Sequence, residues 1–116
     1  MAIAARWRRL DRLPAPRGRD AMPGVYEIAD SARRLIYIGQ SSRDVPNRLR
    51  QHLARPGCIQ DRAAFWRYRY SRVPQAEEAA LLADHRRRCG GLPPCNRRSQ
   101  LERDSQRRIV ERFSDE

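Results

Sequence analysis

Residues 24–42 read GVYEIADSARRLIYIGQSS. Two short runs of β-forming residues, 24–29 and 34–39, flank the polar segment Asp30-Ser31-Ala32-Arg33, which is the pattern of a β-hairpin. With Asp30 to Arg33 as the turn, Tyr26 falls directly opposite Tyr37. Opposed residues of an antiparallel pair share a face, with Cβ atoms about 4.5–5.5 Å apart. Two phenols therefore project from one patch. Gly24 and Gly39 flank it, and a glycine inside a strand often marks the close approach of another group. A cross-strand aromatic pair also serves as plain core packing, so the hairpin by itself does not separate a site from a core.

The order of elements downstream sets the fold class. VPNRLRQHLA, with Pro46 near its start, reads as a helix. AAFWRYRYSRV alternates aromatic and basic residues with period two, the signature of a strand with one buried face. PQAEEAALLADHRRRC opens on a proline and is closed by Gly90-Gly91 and Pro93-Pro94, a strong helix. Strand, strand, helix, strand, helix makes a small α/β (α+β) domain: a three-stranded antiparallel sheet flanked by helices, over residues 23–98. Residues 1–22 form a basic N-terminal extension. In it Ile3, Trp7 and Leu10 have the spacing of a short helix, which LPAPRGRDAMPG then breaks. Over residues 99–116, Ser99 and Glu102 form a capping-box pattern, and Leu101, Ile109 and Phe113 share one face. This predicts a C-terminal helix packed on the domain.

At 116 residues the chain is long enough for one modest core. Its 25 basic residues against 14 acidic give a formal charge of +11, and every basic residue is arginine. Codon usage in a GC-rich genome would produce the same bias. Whatever its origin, it leaves a surface of guanidinium forks suited to phosphate oxygens. A polyanion is the expected partner, nucleic acid ahead of membrane. No run approaches the roughly 18 apolar residues of a membrane span, and Trp7 with Arg8-Arg9 stands where a secretory signal would need an apolar stretch. Three widely spaced cysteines read most simply as reduced thiols in a cytoplasmic protein. Cys58, Cys89, Cys95 and His85 are zinc-capable types, but no C-x2-C pair exists, and His85 and Cys89 are merely a helix turn apart. FWRYRYSR interleaves aromatics with arginines as single-strand-binding surfaces do; a core strand with arginines outward has the same pattern.

Other residues give the tyrosine pair a chemical setting. Arg48 and His52 are i and i+4 and so share a helix face just past the second tyrosine. Glu78 sits in the later helix, and PPCN puts Asn96 in a rigid turn. This set resembles the GIY-YIG nuclease family. GVY stands for the first half-motif and YIGQS for the second, 11 residues apart from tyrosine to tyrosine; the arginine, the helical glutamate and the asparagine follow in order. The resemblance covers roughly residues 22–98.

The resemblance implies a GIY-YIG fold and a metal-dependent endonuclease that hydrolyses phosphodiester bonds in DNA, with RNA left open. It implies Mg2+ or Mn2+ as cofactor with Glu78 as its protein ligand, although Glu77 and Asp84 on the same helix are rivals for that place. Arg48 would clamp the scissile phosphate, and Tyr26 would activate the attacking water. Tyr37 would orient the phosphate or nucleophile, His52 would accept a proton or bind phosphate, and Asn96 would hold the tyrosine loop from behind. Nucleic-acid contacts would come from Gly39, Gln40, Ser41 and Arg48, with Arg67 and Arg69 on the aromatic strand. A domain this small suits DNA shape, as in repair or recombination, or a protein partner for targeting. The competing class is a nucleic-acid-binding module of the same fold that has lost its chemistry.

Overall fold

β2 (Gly24–Ala29) is the centre of a four-stranded antiparallel sheet, and all six of its residues are buried. The computed structural model describes residues 3–15, 17–101 and 103–104. In chain order the strands are β1 (Arg8–Arg9), β2, β3 (Leu35–Ser41) and β4 (Phe65–Tyr70), arranged β1-β4-β2-β3. Three helices are α1 (Val45–Leu53), α2 (Cys58–Arg62) and α3 (Pro74–Cys89). A fourth, α4, runs through residues 94–101. The expected three-stranded α+β sheet is present, extended by the short β1.

The hairpin forms where expected but in a different register. The Asp30 carboxylate accepts from the backbone N–H of Ala32 (3.0 Å) and Arg34 (2.9 Å), and Arg33 takes a left-handed φ of 62°. Asp30 then pairs with Arg34, its N–H bonding the Arg34 carbonyl at 3.0 Å, which lengthens the turn side by one residue. A bulge between Ile28 and Ala29 adds another slip, so Tyr26 lies opposite Gly39 and Tyr37 opposite Ile28. Direct opposition of the two tyrosines is thus corrected to a diagonal pairing. Side chains alternate with period two, so a slip of two residues keeps both phenols on one face.

That face carries the larger core: Tyr26, Ile28, Ile36 and Trp66 from the sheet, Val45 and Leu49 from α1, and Ile59 from α2. The opposite face packs Val25 and Ile38 against Leu81 of α3 and Ile3. Burial on both faces explains why β2 reads as a hydrophobic run with only Glu27 intruding. Gly24 has the neighbour its position anticipates: a Cβ there would lie 2.3 Å from the Arg69 carbonyl oxygen of β4.

The N-terminal segment is extended, not helical. Arg8 and Arg9 pair with Trp66 and Phe65, and a 3-10 turn follows at Leu10–Arg12. Ile3 and Leu10 are buried, as their spacing implies, but against the sheet. The reason is Glu27, a buried carboxylate needing donors: it accepts from Ile3 N (3.1 Å) and Arg67 Nε (2.9 Å), and Arg67 lies over the Trp7 ring at 4.0 Å. A helix at residues 3–10 would withhold those groups from a buried charge, and an unpaired buried charge is costly.

At the other end, α4 begins at residue 94, five residues before the Ser99 capping pattern. Pro94 suits a first turn, where no N–H is needed. Leu101 is exposed, and Glu102, Ile109 and Phe113 lie outside the described residues.

Cysteine pairing is a further correction. α2 and α4 bring Cys58 and Cys95 together as a disulfide with Cα atoms 5.6 Å apart, while Cys89 is free and exposed. The case for a cytoplasmic setting from reduced thiols therefore falls away. His85 donates from Nδ1 to the Gly91 carbonyl at 2.8 Å, and no metal-capable cluster of three or more His, Cys, Asp or Glu exists among the described residues. Because the bridge spans 37 residues of sequence, replacing both Cys58 and Cys95 by serine is expected to lower unfolding free energy by about 2–4 kcal/mol. Urea denaturation of the oxidised wild type and the double variant measures it.

Candidate active site

β2 and β3 present Tyr26 and Tyr37 from one face with ring centroids 6.2 Å apart and planes 28° from parallel. Gly39 lies across from Tyr26 and next but one to Tyr37. A Cβ there would fall 2.5 Å from Tyr26 Cζ and Oη and 2.7 Å from Tyr37 Cε1. The glycine is therefore the floor on which both phenols rest, and no side chain fits beneath them.

The chain leaves β3 through a turn in which Ser41 Oγ accepts from Arg43 N (3.3 Å) and Asp44 N (3.0 Å). Asp44 then caps α1, its carboxylate accepting from Asn47 N at 3.0 Å. Val45, Pro46 and Leu49 bury one side of α1, which leaves Arg48 and His52 at the tyrosines. Tyr26 Oη and His52 Nε2 are 2.7 Å apart, and the His52 ring meets Tyr37 edge-on at 5.1 Å. The Arg48 guanidinium is exposed and steadied by Gln51 Oε1 at 3.0 Å.

Protonation follows from burial. Tyr26 is pushed well above the usual phenol value by burial and by Tyr37, with Arg48 opposing. His52 is lowered from 6.5 to about 4 by burial, then by Arg48 and Arg55. The phenol thus keeps its proton and donates it to a neutral imidazole through Nε2. Above about pH 6.5 the ring is neutral in folded and unfolded chains alike. As pH falls from there toward about 4, the unfolded chain takes up a proton that the folded chain refuses, so stability is lost across that window. A ring titration by NMR is expected to give a His52 midpoint near 4, and the acid loss of stability should shrink in His52→Gln. A midpoint at 6.5 would contradict the buried, phenol-paired ring.

Glu78, half-buried on α3, completes the group. Burial raises its carboxyl above the ordinary value while Arg103 and Arg48 oppose, and its charge in turn pushes both Tyr26 and Tyr37 upward. The two rivals have other partners. Glu77 bonds Arg69 at 3.0 Å and is held below the usual carboxylate range by Ser71 and Arg69. Asp84 pairs with Arg87 and Arg88. Of the three carboxylates, Glu78 is the one in electrostatic contact with the tyrosines. From the outer edge of β3, buried Asn96 brackets Ile38: its Oδ1 accepts from Ile38 N (2.8 Å) and its Nδ2 donates to Ile38 O (2.9 Å). Ile38 lies between Tyr37 and Gly39, so this side chain imitates a further strand where the tyrosines need it.

The model of the GIY-YIG catalytic domain matches residues 22–80, which is 59 of the 116 residues. The chain belongs to the GIY-YIG family. No curated protein and no solved structure shows a match to it. The family is one of nucleases, and nucleic acid is the substrate class it suggests. Among the described residues no helix is long and apolar enough to cross a membrane.

Within this GIY-YIG domain the fold brings together Tyr26, Tyr37, Gly39, Arg48, His52 and Glu78, with Asn96 behind them. Other expected nucleic-acid contacts lie elsewhere. Arg67 and Arg69 pair across β2 with Glu27 and Val25, on the sheet face away from Tyr26, and their guanidinium groups bond Glu27 and Glu77. Gln40, opposite Val25, shares that face. Ser41 shapes the turn into α1. On β4, Trp66 is buried and stacks on Tyr68 at 5.2 Å, while Tyr70 is exposed. Three arginines that the motifs do not include, Arg55, Arg98 and Arg103, join Tyr37, Arg48 and His52 around a cleft of about 280 Å3. In a chain whose 25 basic residues are all arginine, nothing in the sequence marks these three out.

Proposed function

We propose that this protein is a metal-dependent endonuclease that hydrolyses phosphodiester bonds in DNA, directed by DNA structure or a partner more than by extended sequence. The observation that carries the reading is the 2.7 Å contact between the Tyr26 hydroxyl and neutral His52 Nε2, set beside an exposed arginine and a half-buried carboxylate. A phenol with a raised pKa is a poor base alone. Joined to an imidazole it becomes a relay: Tyr26 Oη takes a proton from the attacking water as its own proton passes to Nε2. A phosphate dianion-like centre beside His52 favours the imidazolium and opposes the burial that depresses it. Arg48 faces the same space with free guanidinium donors and stabilises charge on the non-bridging oxygens. Tyr37 orients the phosphate by its hydroxyl.

Glu78 fits a divalent cation. It is a hard oxygen donor, burial disfavours its charge, and one carboxylate suits Mg2+ or Mn2+, which keeps several waters and shares the phosphate. When bound, such an ion supplies Lewis-acid stabilisation of the reacting phosphate. The remaining work belongs to Tyr26, His52, Arg48 and Tyr37. The arginine-rich surface supplies affinity without sequence readout, with a steep salt dependence as its mark.

Nicking of supercoiled plasmid and of a branched DNA in magnesium tests the proposal. Tyr26→Phe keeps the ring and removes the relay hydroxyl; it is expected to lower the cleavage rate by about 10²–10⁴-fold. Wild type that binds DNA yet leaves it intact in both magnesium and manganese would overturn the enzyme reading in favour of a binding module.

A further inference from the structure

The cleft beside Tyr37 runs between the turn that follows α1 and the first turns of α4. Arg55 lines it from the turn after α1, Arg98 and Arg103 from the α4 side, and Arg48 with His52 from α1. The Cys58–Cys95 disulfide joins the two walls. No lining residue is a carboxylate. Elsewhere on the surface arginines have found acids: Arg9 with Asp11, Arg34 with Asp30, Arg69 with Glu77, Arg88 with Asp84. Arg48 and Arg103 bond instead to the neutral amides of Gln51 and Gln100, and among the described residues neither Arg55 nor Arg98 has an ion pair. The single charge of Glu78 acts on Arg48 and Arg103, so the four guanidinium groups keep an excess of positive charge that an anion relieves. Arg48 and Arg55 both lie close enough to His52 to disfavour its charged form.

We infer that Arg55 and Arg98 bind the phosphate of the nucleotide next to the scissile one, so that the cleft continues the path of the cut strand away from Tyr26. The inference rests on the nuclease reading for the scissile phosphate at Arg48. It makes α4, which lies beyond the span matched by the family, part of the nucleic-acid surface. The Cys58–Cys95 disulfide ties the two walls of the cleft together, and Ser99 offers a hydroxyl donor beside the guanidinium groups.

The experiment measures binding of a fluorescent branched DNA across a salt series, using Glu78→Ala to keep the DNA uncut. Adding Arg55→Ala and Arg98→Ala together should weaken binding at low salt by about tenfold or more, and reduce the slope of log affinity against log salt by about one to two. Arg62→Ala and Arg72→Ala together, which remove two exposed arginines that do not line the cleft, are the control for net charge and should do much less. Single methylphosphonates are then placed one by one along the strand. One position should weaken the parent protein yet leave the Arg55/Arg98 variant unaffected, because the contact is already gone. An Arg55/Arg98 variant that binds as the Arg62/Arg72 control does, or that still senses every methylphosphonate, overturns the inference. Circular dichroism establishes that each variant is folded. Cleavage by wild type is scored in parallel: its absence counts against the nuclease reading alone, since the binding arm decides the cleft without it.

Discussion

Glu78→Ala is expected to lower phosphodiester cleavage in magnesium by roughly a thousandfold, whereas Glu77→Ala stays within about twofold of wild type. The contrast follows from placement. Both carboxylates are on α3, one residue and about 100° of helix apart. Glu77 is turned to Arg69 and Ser71, on the side away from the tyrosines. Glu78 is half-buried where Arg48 and Arg103 oppose its loss of charge. The variant also reports on the cause of any loss. Removing the Glu78 charge removes one of the influences that raise Tyr26 and Tyr37, so an ultraviolet titration should show phenols that ionise at lower pH. A slower enzyme with more acidic phenols has lost something other than the tyrosines. Single-turnover nicking across a magnesium series makes the measurement; full activity in Glu78→Ala would move the ligand elsewhere on α3.

Gly39→Ala should damage stability and catalysis together. The added methyl would stand 2.5 Å from Tyr26 Cζ and Oη, well inside van der Waals contact, and 2.7 Å from Tyr37 Cε1. The Tyr26 ring cannot swing freely aside: it is buried on all sides and its hydroxyl is tied to His52. Overpacking of this kind costs about 1–3 kcal/mol. Relief requires the phenol to leave the 2.7 Å contact with Nε2, and a displacement of about 1 Å in a reacting group costs on the order of a hundredfold in rate. Urea denaturation and plasmid nicking of Gly39→Ala check both effects. Retention of wild-type stability and rate would mean that the tyrosines do not rest on this glycine in the working enzyme.

Much of the architecture was legible because it is local. Runs of β-forming residues around a polar turn marked β2 and β3, and period-two patterning marked β4; Pro74 and Gly90 bounded α3; and Arg48 and His52 had to share a face of α1 whatever the rest of the chain did. The ordered set from Tyr26 through Asn96 announced the family, and with it the residues now seen around Gly39. Two tyrosines on one face survived an error in register, since the slip was an even number of residues.

What the sequence determined by itself was therefore β2, β3, α1, β4 and α3, the family and the short-range geometry of the motif, but neither α2 nor β1. Tertiary structure decided everything that depends on residues far apart in the chain. The N-terminal segment became a strand because buried Glu27 takes Ile3 N and Arg67 as donors. Cys58 and Cys95 became partners because α2 and α4 meet. The way α3 packs puts Glu78 beside the tyrosines and leaves Glu77 and Asp84 with arginine partners. Arg67 and Arg69, alike in sequence to any phosphate-binding arginine, pair with carboxylates of β2 and α3, while Arg55, Arg98 and Arg103 gather at the cleft. Periodicity fixes which face a side chain occupies within its own element; only packing fixes what lies opposite that face, and charge acts on whatever is there.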